Sequence, residues 1–335
     1  MMLIGVVLTS PLSLQAADKS ADGNQHISRD QLVAQLASET GIPAAELNTI
    51  MKSAIFRPAI IKSMNTQWEA QPYSKYRPLF IKQSMKDKGS AYLKENRTVF
   101  SAAEQQYQVD SAIIAAILGI ETRFGEAHGK QPILDSLYTL STGFPRRAKF
   151  FRQQLGAIIQ ISRQDQLNLS ELKGSYAGAF GSIQFIPTSF RDYAVDGDGA
   201  GKRDVFHSKQ DIIKSVANYF KKHGWQYGRP AAYWLPMRTK LNKAWKKHVT
   251  QSRPKQWVTL AELRKEMPET FAGIPLPWLE NDKVSLIQMQ TAKGKQLALV
   301  HHNFKVIMRY NPSFNYAMAV TEIAAMWESG KFAVD

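Results

Sequence analysis

The stretch DSAIIAAILGIETRFG, residues 110–125, decides the fold of this 335-residue chain. Its apolar residues Ile113, Ile114 and Ile117 recur at the spacing of one helical face. Asp110 can cap the start of such a helix, and Gly125 can end it. The pattern therefore predicts a buried helix over residues 110–125.

Glu121 lies on the same face of this helix, eight, seven and four residues after the three isoleucines. A carboxylate among apolar side chains is costly unless it is paired or its pKa is raised. A raised pKa suits a general acid, whereas a structural ion pair with Arg123 or another arginine would also explain the position. The helix alone leaves both interpretations open.

Other helical patterns extend on both sides of this stretch. Ser28 and Asp30 mark the start of the first one, and Asp135 is interpreted as a helix cap. The further predicted helices cover residues 60–64, 79–87, 89–107, 146–170, 211–223 and 316–327, with one more beginning near Pro187.

The pattern changes between residues 228 and 308, where prolines and β-like runs occur. Strands are predicted over 284–289, 296–301 and 304–308, with a hairpin at Gly294. The predicted fold is mainly α, with a helical core and a small β-rich insertion before the last helix. The predicted segments are an N-terminal helical region (28–110), a core (110–227), the insertion (228–308) and a C-terminal helix (309–330).

Composition narrows the possible functions. The chain contains no cysteine, which excludes disulfides, thiolate catalysis and cysteine metal sites. Its formal net charge is +15, which favours an anionic partner. No helix-turn-helix or other nucleic-acid motif accompanies the charge, so nucleic acid is not the expected partner. A lysine cluster at residues 240–247 is interpreted as a solvated face.

Residues 1–17 resemble a short secretory signal peptide, with an apolar run over 3–8 followed by Pro11 and Ala16-Ala17. The alternative is a frayed or buried N-terminal segment. Export predicts a periplasmic protein of a Gram-negative-type envelope. The protein would be soluble or loosely membrane-associated, and an uncleaved N-terminus could tether it to the membrane.

Five motifs in order resemble the lytic murein transglycosylase B family, over about residues 28 to 330. They are Glu121 to Gly125 (ETRFG), residues 143–148 (GFPRRA), the block GSYAGAFG at 174–181 with QFIP at 184–187, residues 215–219 (SVANY) and residues 310–317 (YNPSFNYA). The resemblance implies a lysozyme-like catalytic core and a peptidoglycan-cleaving enzyme with Glu121 as its catalytic residue.

The resemblance also implies a set of residues that bind the glycan strand. They are Tyr76, Arg146, Arg147, Ser175, Gln184, Tyr219, Tyr310, Asn311 and Tyr316. Tyrosine rings stack on sugars, amides and hydroxyls bind N-acetyl groups, and arginines attract carboxylates. Structural alternatives stay open: Ser175 as a turn cap, Tyr219 as a core residue, and the two arginines as salt-bridging residues at a helix start.

Residues 196–207 have the pattern of an EF-hand loop, with Asp196 and Asp198 at positions 1 and 3. Ala200 and His207 stand at positions 5 and 12, where calcium ligands are normally found. The resemblance implies that Asp211 serves as a later ligand. The loop is either a weak structural Ca²⁺ site, opposed by the charges of Lys202 and Arg203, or a glycine-rich turn without metal. No cofactor is expected to be required.

The resemblance implies cleavage between N-acetylmuramic acid and N-acetylglucosamine without water, leaving a 1,6-anhydromuramoyl end. A lysozyme-type hydrolase would need a second carboxylate, which the motifs do not supply. A wall-binding protein without activity would have little reason to bury Glu121. The sequence therefore predicts a lytic transglycosylase, with the muramidase and the binding protein as alternatives.

Overall fold

The computed structural model describes residues 27–65, 71–249, 254 and 256–328. The predicted signal peptide at residues 1–17 lies outside this part of the chain. The described residues form two compact units, each built from separate stretches of sequence. The first unit combines the described residues of Met1–Gln67 with Glu121–Asn218, and the second combines those of Trp68–Ile120 with Tyr219–Asp335.

Helices dominate the first unit. Its elements are α1 (Arg29–Thr40), α2 (Ala44–Ser53), α3 (Pro58–Met64), β1 (Gln131–Pro132), α8 (Ile133–Gly143), a 3-10 turn (Pro145–Arg147), α9 (Ala148–Gln164), β2 (Lys173–Gly174) and α10 (Pro187–Tyr193). Ser28 begins α1 with a capping box, because its side chain and that of Gln31 each accept the other's backbone N–H. The predicted cap at Ser28 and Asp30 is thus made by Ser28.

The core of the first unit forms around α8 and α9. Helix α9 buries one stripe, including Phe151, Leu155 and Ile158, as its periodicity predicts. Gly156 allows α1 to approach closely, since a Cβ there would lie 3.0 Å from Thr40 and 3.4 Å from Leu36. The predicted helix over 146–170 is shorter in the structure because residues 145–147 form the 3-10 turn and α9 ends at Gln164.

The second unit contains helices and a sheet. Its elements are α4 (Tyr73–Phe80), α5 (Gln83–Glu95), α6 (Arg97–Tyr107), β3 (Ala232–Trp234), α12 (Lys243–Lys246), β4 (Val258–Thr259), α13 (Leu260–Glu266), α14 (Pro268–Phe271), β5 (Lys283–Thr291), β6 (Gly294–His301), α15 (His302–Tyr310) and α16 (Phe314–Ala325). Two helices run through the division between the units, namely α7 (Ser111–Thr122) and α11 (Lys209–Lys222).

The insertion forms a four-stranded antiparallel sheet in the order β3-β6-β5-β4. The predicted hairpin is present: Thr291 pairs with Gly294, whose φ of 113° favours glycine. One face of the hairpin, including Val284, Leu286 and Leu299, packs into a small core with Trp245 and Phe271. The alternation of strand side chains therefore gives the insertion its own apolar cluster.

Two sequence predictions were wrong about the elements of this unit. Residues 304–308, predicted as a strand, belong to helix α15, whose start is capped by the His301 side chain. Their β-branched and aromatic content suggested a strand, but Phe304 and Ile307 are buried at helical spacing. The helices predicted over 79–87 and 89–107 are instead divided at Ile81-Lys82 and at Asn96. Pro78 within α4 contributes to the first break because proline disfavours helix continuation.

The stability of the second unit should depend on pH through His301, which is 1% exposed and stacks on Trp278. Burial lowers its pKa to about 4, since the charged ring would be desolvated. Above the unfolded pKa of about 6.5, both states hold neutral histidine. As pH falls from about 6.5 towards 4, the histidine is protonated in the unfolded state but stays neutral in the folded state. The free energy of unfolding therefore decreases by about 3 kcal/mol over this range.

Urea unfolding at a series of pH values measures this loss. His301→Asn keeps an N-cap acceptor but cannot titrate, so it should unfold with a shallower pH dependence in that window. Parallel losses of stability in the wild type and the variant would show that His301 is not responsible.

Candidate active site

Glu121 lies in the last turn of helix α7 and belongs to the first unit. Only 9% of the residue is exposed, and Ile113, Ile114 and Ile117 on the same helix are fully buried. The helix is almost entirely apolar before Glu121, which confirms the predicted burial of this face. A buried carboxyl group on this face is suited to the role of a residue that must donate a proton.

The backbone after Glu121 makes an unusual turn. Arg123, Phe124 and Gly125 have φ values of 53°, 64° and 92°, so three consecutive residues are left-handed. Non-glycine residues rarely adopt this conformation, and two in succession store strain. A Cβ on Gly125 would lie 3.3 Å from the Ser182 hydroxyl, so the absence of a side chain also allows Ser182 to lie close to this turn. Strain of this kind is characteristic of functional sites.

Thr122 holds this turn against the glycine-rich block. Its Oγ1 donates to the Ser182 carbonyl at 2.8 Å and accepts from the Gly125 N–H at 3.0 Å. The Ser182 hydroxyl in turn exchanges a hydrogen bond of 2.9 Å with His128 Nε2. Burial lowers the pKa of His128, which disfavours the charged ring. We call Thr122, Ser182 and His128 the Thr122 cluster; it fixes the position of the helix end that carries Glu121.

The glycine-rich block folds into a tight turn beneath the cluster. Ser175 Oγ accepts from the Ala179 N–H at 3.1 Å. Ser175 therefore caps the turn, which is the structural role considered for it from the sequence. Within the described part of the chain, its hydroxyl group donates no hydrogen bond. Gly178, with φ of 88°, packs against Leu137, and a Cβ there would meet Leu137 at 2.4 Å. Close packing therefore explains the small residues of this block.

Gln184 also has a left-handed backbone, with φ of 48°. Its Nε2 donates to the carbonyls of His128 and Gly181 at 3.2 and 2.9 Å. The amide nitrogen is therefore used within the protein, and Oε1 is the atom that can accept a hydrogen bond from a ligand. The structure places Gln184 beside the Thr122 cluster.

Arg146 and Arg147 lie in the 3-10 turn before α9. Arg146 donates to Asn65 at 2.9 Å, and Arg147 stacks over Phe150 with its Cζ 4.2 Å from the ring centroid. Burial lowers the pKa of Arg147 from its ordinary value, although guanidinium stays charged. The rings of Phe150 and Phe151 hold the guanidinium group of Arg147 in place beside the start of α9.

Asp135 is not a helix cap, contrary to the sequence prediction. Its carboxylate accepts from the Ile55 N–H at 2.9 Å and from Arg57 Nε at 2.6 Å. It lies in the first turn of α8. Both oxygens are engaged by these two donors, so Asp135 joins α8 to the segment before α3.

Two of the candidate tyrosines of the second unit, Tyr219 and Tyr310, lie in one aromatic cluster. Tyr219 donates its hydroxyl to the Arg309 carbonyl at 2.7 Å, and its ring centroid is 4.9 Å from that of Tyr310. Tyr219 also stacks on His223 at 4.2 Å. Tyr76 pairs with Phe80 at 5.2 Å, and Tyr316 is fully buried. These rings pack extensively within the unit, so any contact with a sugar uses only a small part of each ring.

Asn311 is the most informative polar residue of the second unit. It is 1% exposed, and its Oδ1 accepts from the Ser313 N–H at 3.2 Å. Its Nδ2 is buried and has no hydrogen-bond partner within the described part of the chain. An unpaired buried donor costs roughly 1–3 kcal/mol, so the protein tolerates a group that a ligand could satisfy.

The acidic loop brings together three carboxylates. Oxygens of Asp196, Asp198 and Asp211 lie within 4.8 Å of one another. Backbone N–H groups of Gly199 and Gly201 donate to Asp196, both at 2.8 Å, which curls the loop around its carboxylates. The predicted set of Asp196, Asp198 and Asp211 is therefore assembled.

The chemistry of this donor set fits a calcium ion, because calcium prefers carboxylate oxygens. Asp204, at loop position 9, turns away and accepts from the backbone of Phe206 and His207. Arg203 was expected to oppose a cation, but it pairs with Asp165 through Nη2 at 2.5 Å and Nε at 2.8 Å. Lys214 supplies an opposing charge instead, since its Nζ donates to the Gly197 carbonyl at 2.7 Å.

The sequence reasoning gave no role to the members of the Thr122 cluster. Thr122 follows Glu121 directly in the quoted motif, and Ser182 lies between Gly181 and Gln184 in another one. Their position inside two of the motifs was the sequence feature that could have indicated a role in the site. Their contact could not be read from the sequence, because 60 residues separate Thr122 from Ser182.

A buried glutamate at a strained helix end within a mainly helical protein is the arrangement expected of the predicted glycan-cleaving enzyme of lysozyme-like fold. Residues 25–325 match the transglycosylase SLT domain family, and the chain belongs to that family. The predicted family, the lysozyme-like fold and the enzyme class, a lytic transglycosylase, are thereby confirmed.

Three relatives show how far the similarity extends. The membrane-bound lytic murein transglycosylase B of Escherichia coli (strain K12) is 32% identical over 304 residues, covering 88% of this chain and 80% of that protein. The structure of the E. coli lytic transglycosylase Slt35 in complex with calcium has a TM-score of 0.77 at 31% identity, covering 89% of this chain and 91% of that one. SltB3 from Pseudomonas aeruginosa in complex with NAG-NAM-pentapeptide gives a TM-score of 0.79 at 30% identity, covering 92% and 81%.

Membrane association can be examined only within the described residues. None of the helices there combines the length and the apolar character that crossing a bilayer requires.

Proposed function

We propose that this chain cleaves peptidoglycan strands at the β-1,4 bond between N-acetylmuramic acid and N-acetylglucosamine, with Glu121 as the catalytic acid and base. The observation that carries the proposal is the placement of Glu121. It is buried at the end of α7, directly before a strained turn that the Thr122 cluster holds in place. A buried carboxyl group at a helix end that is held in place is suited to proton transfer.

The proposed reaction uses one carboxyl group in two steps. Protonated Glu121 donates its proton to the glycosidic oxygen, and the bond from that oxygen to C1 of the muramoyl residue breaks. The resulting Glu121 carboxylate then removes the proton from the C6 hydroxyl of the same sugar, whose oxygen bonds to C1. The product is a 1,6-anhydromuramoyl end, and Glu121 is protonated again without consuming water.

The ion pairs of two other buried carboxylates in the first unit support this route over hydrolysis. Asp135 and Asp165 are both held in ion pairs, with Arg57 and Arg203. A two-carboxylate glycosidase needs a nucleophile or base in addition to its acid. Pairing with arginine makes these two aspartates poor candidates for that role.

Substrate binding is proposed for polar and aromatic groups in each unit. In the first unit, Ser175 donates to an N-acetyl carbonyl, Gln184 accepts through Oε1, and Arg146 and Arg147 attract carboxylates. In the second unit, Asn311 Nδ2 donates to the glycan, which would satisfy its unpaired N–H group. Tyr76, Tyr219 and Tyr310 supply the small exposed parts of their rings, whereas Tyr316 is fully buried and has no exposed surface for a sugar.

Mass spectrometry of the fragments released from purified peptidoglycan sacculi tests the proposed function. Anhydromuramoyl ends, 18 mass units lighter than the hydrated ends, are expected. Reducing muramoyl ends would establish a hydrolase, and no release would favour a binding protein.

We propose that Asp196, Asp198 and Asp211 hold a weak structural Ca²⁺ that takes no part in the chemistry. Ala200 and His207 remove two of the usual loop ligands, and Lys214 adds a positive charge, so affinity should be in the millimolar range. With a dissociation constant of about 1 mM, 10 mM Ca²⁺ would stabilise the fold by about 1.4 kcal/mol.

Calorimetric titration and thermal unfolding with and without Ca²⁺ measure this effect. Asp198→Asn should weaken both the heat of binding and the stabilisation, and Mg²⁺ should substitute poorly because it demands stricter geometry. A flat titration up to several millimolar would leave the loop as a metal-free turn.

We further propose that the protein acts in the periplasm, guided by the signal-like residues 1–17. The support is the sequence pattern itself together with a substrate that lies outside the cytoplasm. Cell fractionation with a C-terminal tag distinguishes soluble periplasmic protein from protein tethered to the membrane by an uncleaved N-terminus. Recovery in the cytoplasm would contradict export.

A further inference from the structure

The insertion carries basic side chains that the proposed reaction does not use. Residues 236–249 contain no acidic residue. The same stretch contains five basic side chains, all of them exposed, which we call the basic surface: Arg238, Lys240, Lys243, Lys246 and Lys247. A run of this kind differs from the mixed charges that keep an ordinary surface solvated.

Helix α12 directs three of these lysines to one side. Trp245 is 1% exposed and anchors the helix, since its Nε1 donates to Glu266 at 2.6 Å. At 100° per residue, Lys243, Lys246 and Lys247 fall within an arc of about 100° on the side opposite Trp245. Burial of the tryptophan therefore places the lysines together in water.

Two further lysines extend the basic surface. The Met237 Cε lies 4.0 Å from the position of a Cβ on Gly294, so the segment before α12 approaches the hairpin turn between β5 and β6. Lys293 and Lys295 flank that glycine, and both are exposed. The positive charge therefore spans two segments that the fold of the insertion brings together.

Neighbouring acids do not neutralise this charge. Among the residues that the structure describes, the five basic side chains form no salt bridge within 4.0 Å. Glu266 accepts from Trp245, and Glu269 lies next to Thr270, whose hydroxyl donates to the Lys240 carbonyl at 3.0 Å. Two carboxylates near five to seven cations leave a net positive field.

We infer that the basic surface binds the carboxylates of peptidoglycan stem peptides, in addition to the contacts made at the bond being cut. The inference rests on the proposed function, which supplies the polymer. Lysines are flexible point charges, suited to carboxylates that recur along a polymer without fixed geometry. Several weak contacts on one polymer raise its effective concentration and retain the enzyme on it.

The composition of the surface favours such a polymer over an anionic bilayer. Surfaces that bind bilayers combine basic residues with exposed tryptophan, phenylalanine or leucine. Here Trp245 points inward, and Met237 is the one large hydrophobic side chain of residues 236–249 that is exposed. The lysines therefore lack the apolar partners that insertion into lipid requires.

The test compares two variants of the full chain that each remove five positive charges. One neutralises the basic surface (R238Q, K240Q, K243Q, K246Q and K247Q), and the control neutralises exposed lysines elsewhere (K52Q, K82Q, K86Q, K94Q and K222Q). Binding is measured by pelleting with sacculi at 4 °C over a range of NaCl concentrations. Formation of anhydromuramoyl ends from short soluble glycan fragments is measured on the same preparations.

The basic-surface variant should bind sacculi about 10-fold more weakly at low salt, and the difference should shrink as salt screens the charges. The control variant should bind like the wild type, and all three should cleave soluble fragments equally. Amidation of the carboxylates of the sacculi should weaken wild-type binding to a similar extent, independently of any effect of mutation on folding.

Three outcomes would overturn the inference. Equal losses in both variants would indicate a general effect of net charge, and unchanged binding to amidated sacculi would exclude carboxylates. Dependence on the basic surface with vesicles of three parts phosphatidylcholine to one part phosphatidylglycerol, but not with sacculi, would identify a lipid surface. Failure of the proposed function would appear separately, as the absence of anhydromuramoyl ends from soluble fragments with the wild type.

Discussion

Glu121→Gln should reduce the release of anhydromuramoyl products from sacculi by at least about 10³-fold, without unfolding the protein. The amide has the shape of the carboxyl group but can neither donate the acid proton nor remove the C6 proton. Glu121 is buried, and the amide fills the same volume at this position, so the fold should be retained. The measurement is the rate of product formation by mass spectrometry, with circular dichroism and thermal unfolding on the same samples.

Glu126→Gln is the matched control, because Glu126 is a glutamate just beyond the same turn and carries no proposed chemistry. It should retain activity within about 3-fold, as expected of a surface substitution. Wild-type rates in Glu121→Gln would refute the catalytic assignment. If Glu121→Gln unfolds, Glu121→Asp replaces it in the test. The aspartate retains a carboxyl group on a shorter side chain, so activity should decrease but remain measurable.

Glu322→Ala should destabilise the second unit by about 3–4 kcal/mol, because a buried carboxylate there joins three elements. Its Oε1 accepts from the Tyr73 hydroxyl and from Trp234 Nε1, both at 3.0 Å, and its Oε2 accepts from Arg77 Nε at 2.6 Å. Helix α16 is thereby bound to α4 and to strand β3. Truncation leaves the buried Tyr73 hydroxyl and the half-buried Trp234 N–H without their acceptor and opens a cavity.

The pKa of Tyr73 agrees with a hydrogen bond from its hydroxyl group to the Glu322 carboxylate. Burial, together with the adjacent Glu322 carboxylate, raises the pKa of Tyr73 well above its ordinary value, so the phenol remains a donor throughout the accessible pH range. Glu322→Gln retains acceptors but loses the charge opposite Arg77, and it should cost roughly 1–2 kcal/mol.

Urea unfolding followed by tryptophan fluorescence measures both losses. Glu280→Ala is the matched control, since its ion pair with Arg264 spans 3.2 Å but the glutamate side chain is 59% exposed. Exposed pairs contribute about 0–1 kcal/mol, so this variant should stay near wild type. Similar losses of stability in Glu322→Ala and Glu280→Ala would show that the buried hydrogen bonds of Glu322 contribute little to the free energy of unfolding.

The parts of the fold that were predicted correctly from the sequence depend on local sequence patterns. The periodic isoleucines of α7, the Ser28 cap and the Gly294 hairpin each depend on residues within one or two turns of one another. Where local signals conflicted, the prediction failed. Residues 304–308 have strand-like composition, yet the His301 cap and burial at helical spacing make them a helix.

The same distinction applies to the candidate site. Motif order singled out Glu121 and Asn311, and the acidic loop identified Asp196 and Asp198 from their spacing alone. The sequence did not reveal that Arg203 leaves the loop to pair with Asp165, 38 residues away. Nor did it show that Asn311 keeps a buried donor without a partner in the described chain.

By itself, the sequence determined the helical class, the position of Glu121 on a buried helix face, and the enzyme family. It could do so because side-chain periodicity and motif order are properties of neighbouring residues. Only the tertiary structure decided that Thr122 is held by Ser182 and that Glu322 joins Tyr73, 249 residues earlier. Such bonds depend on which polar groups packing brings together after their water is removed, and no local pattern encodes that choice.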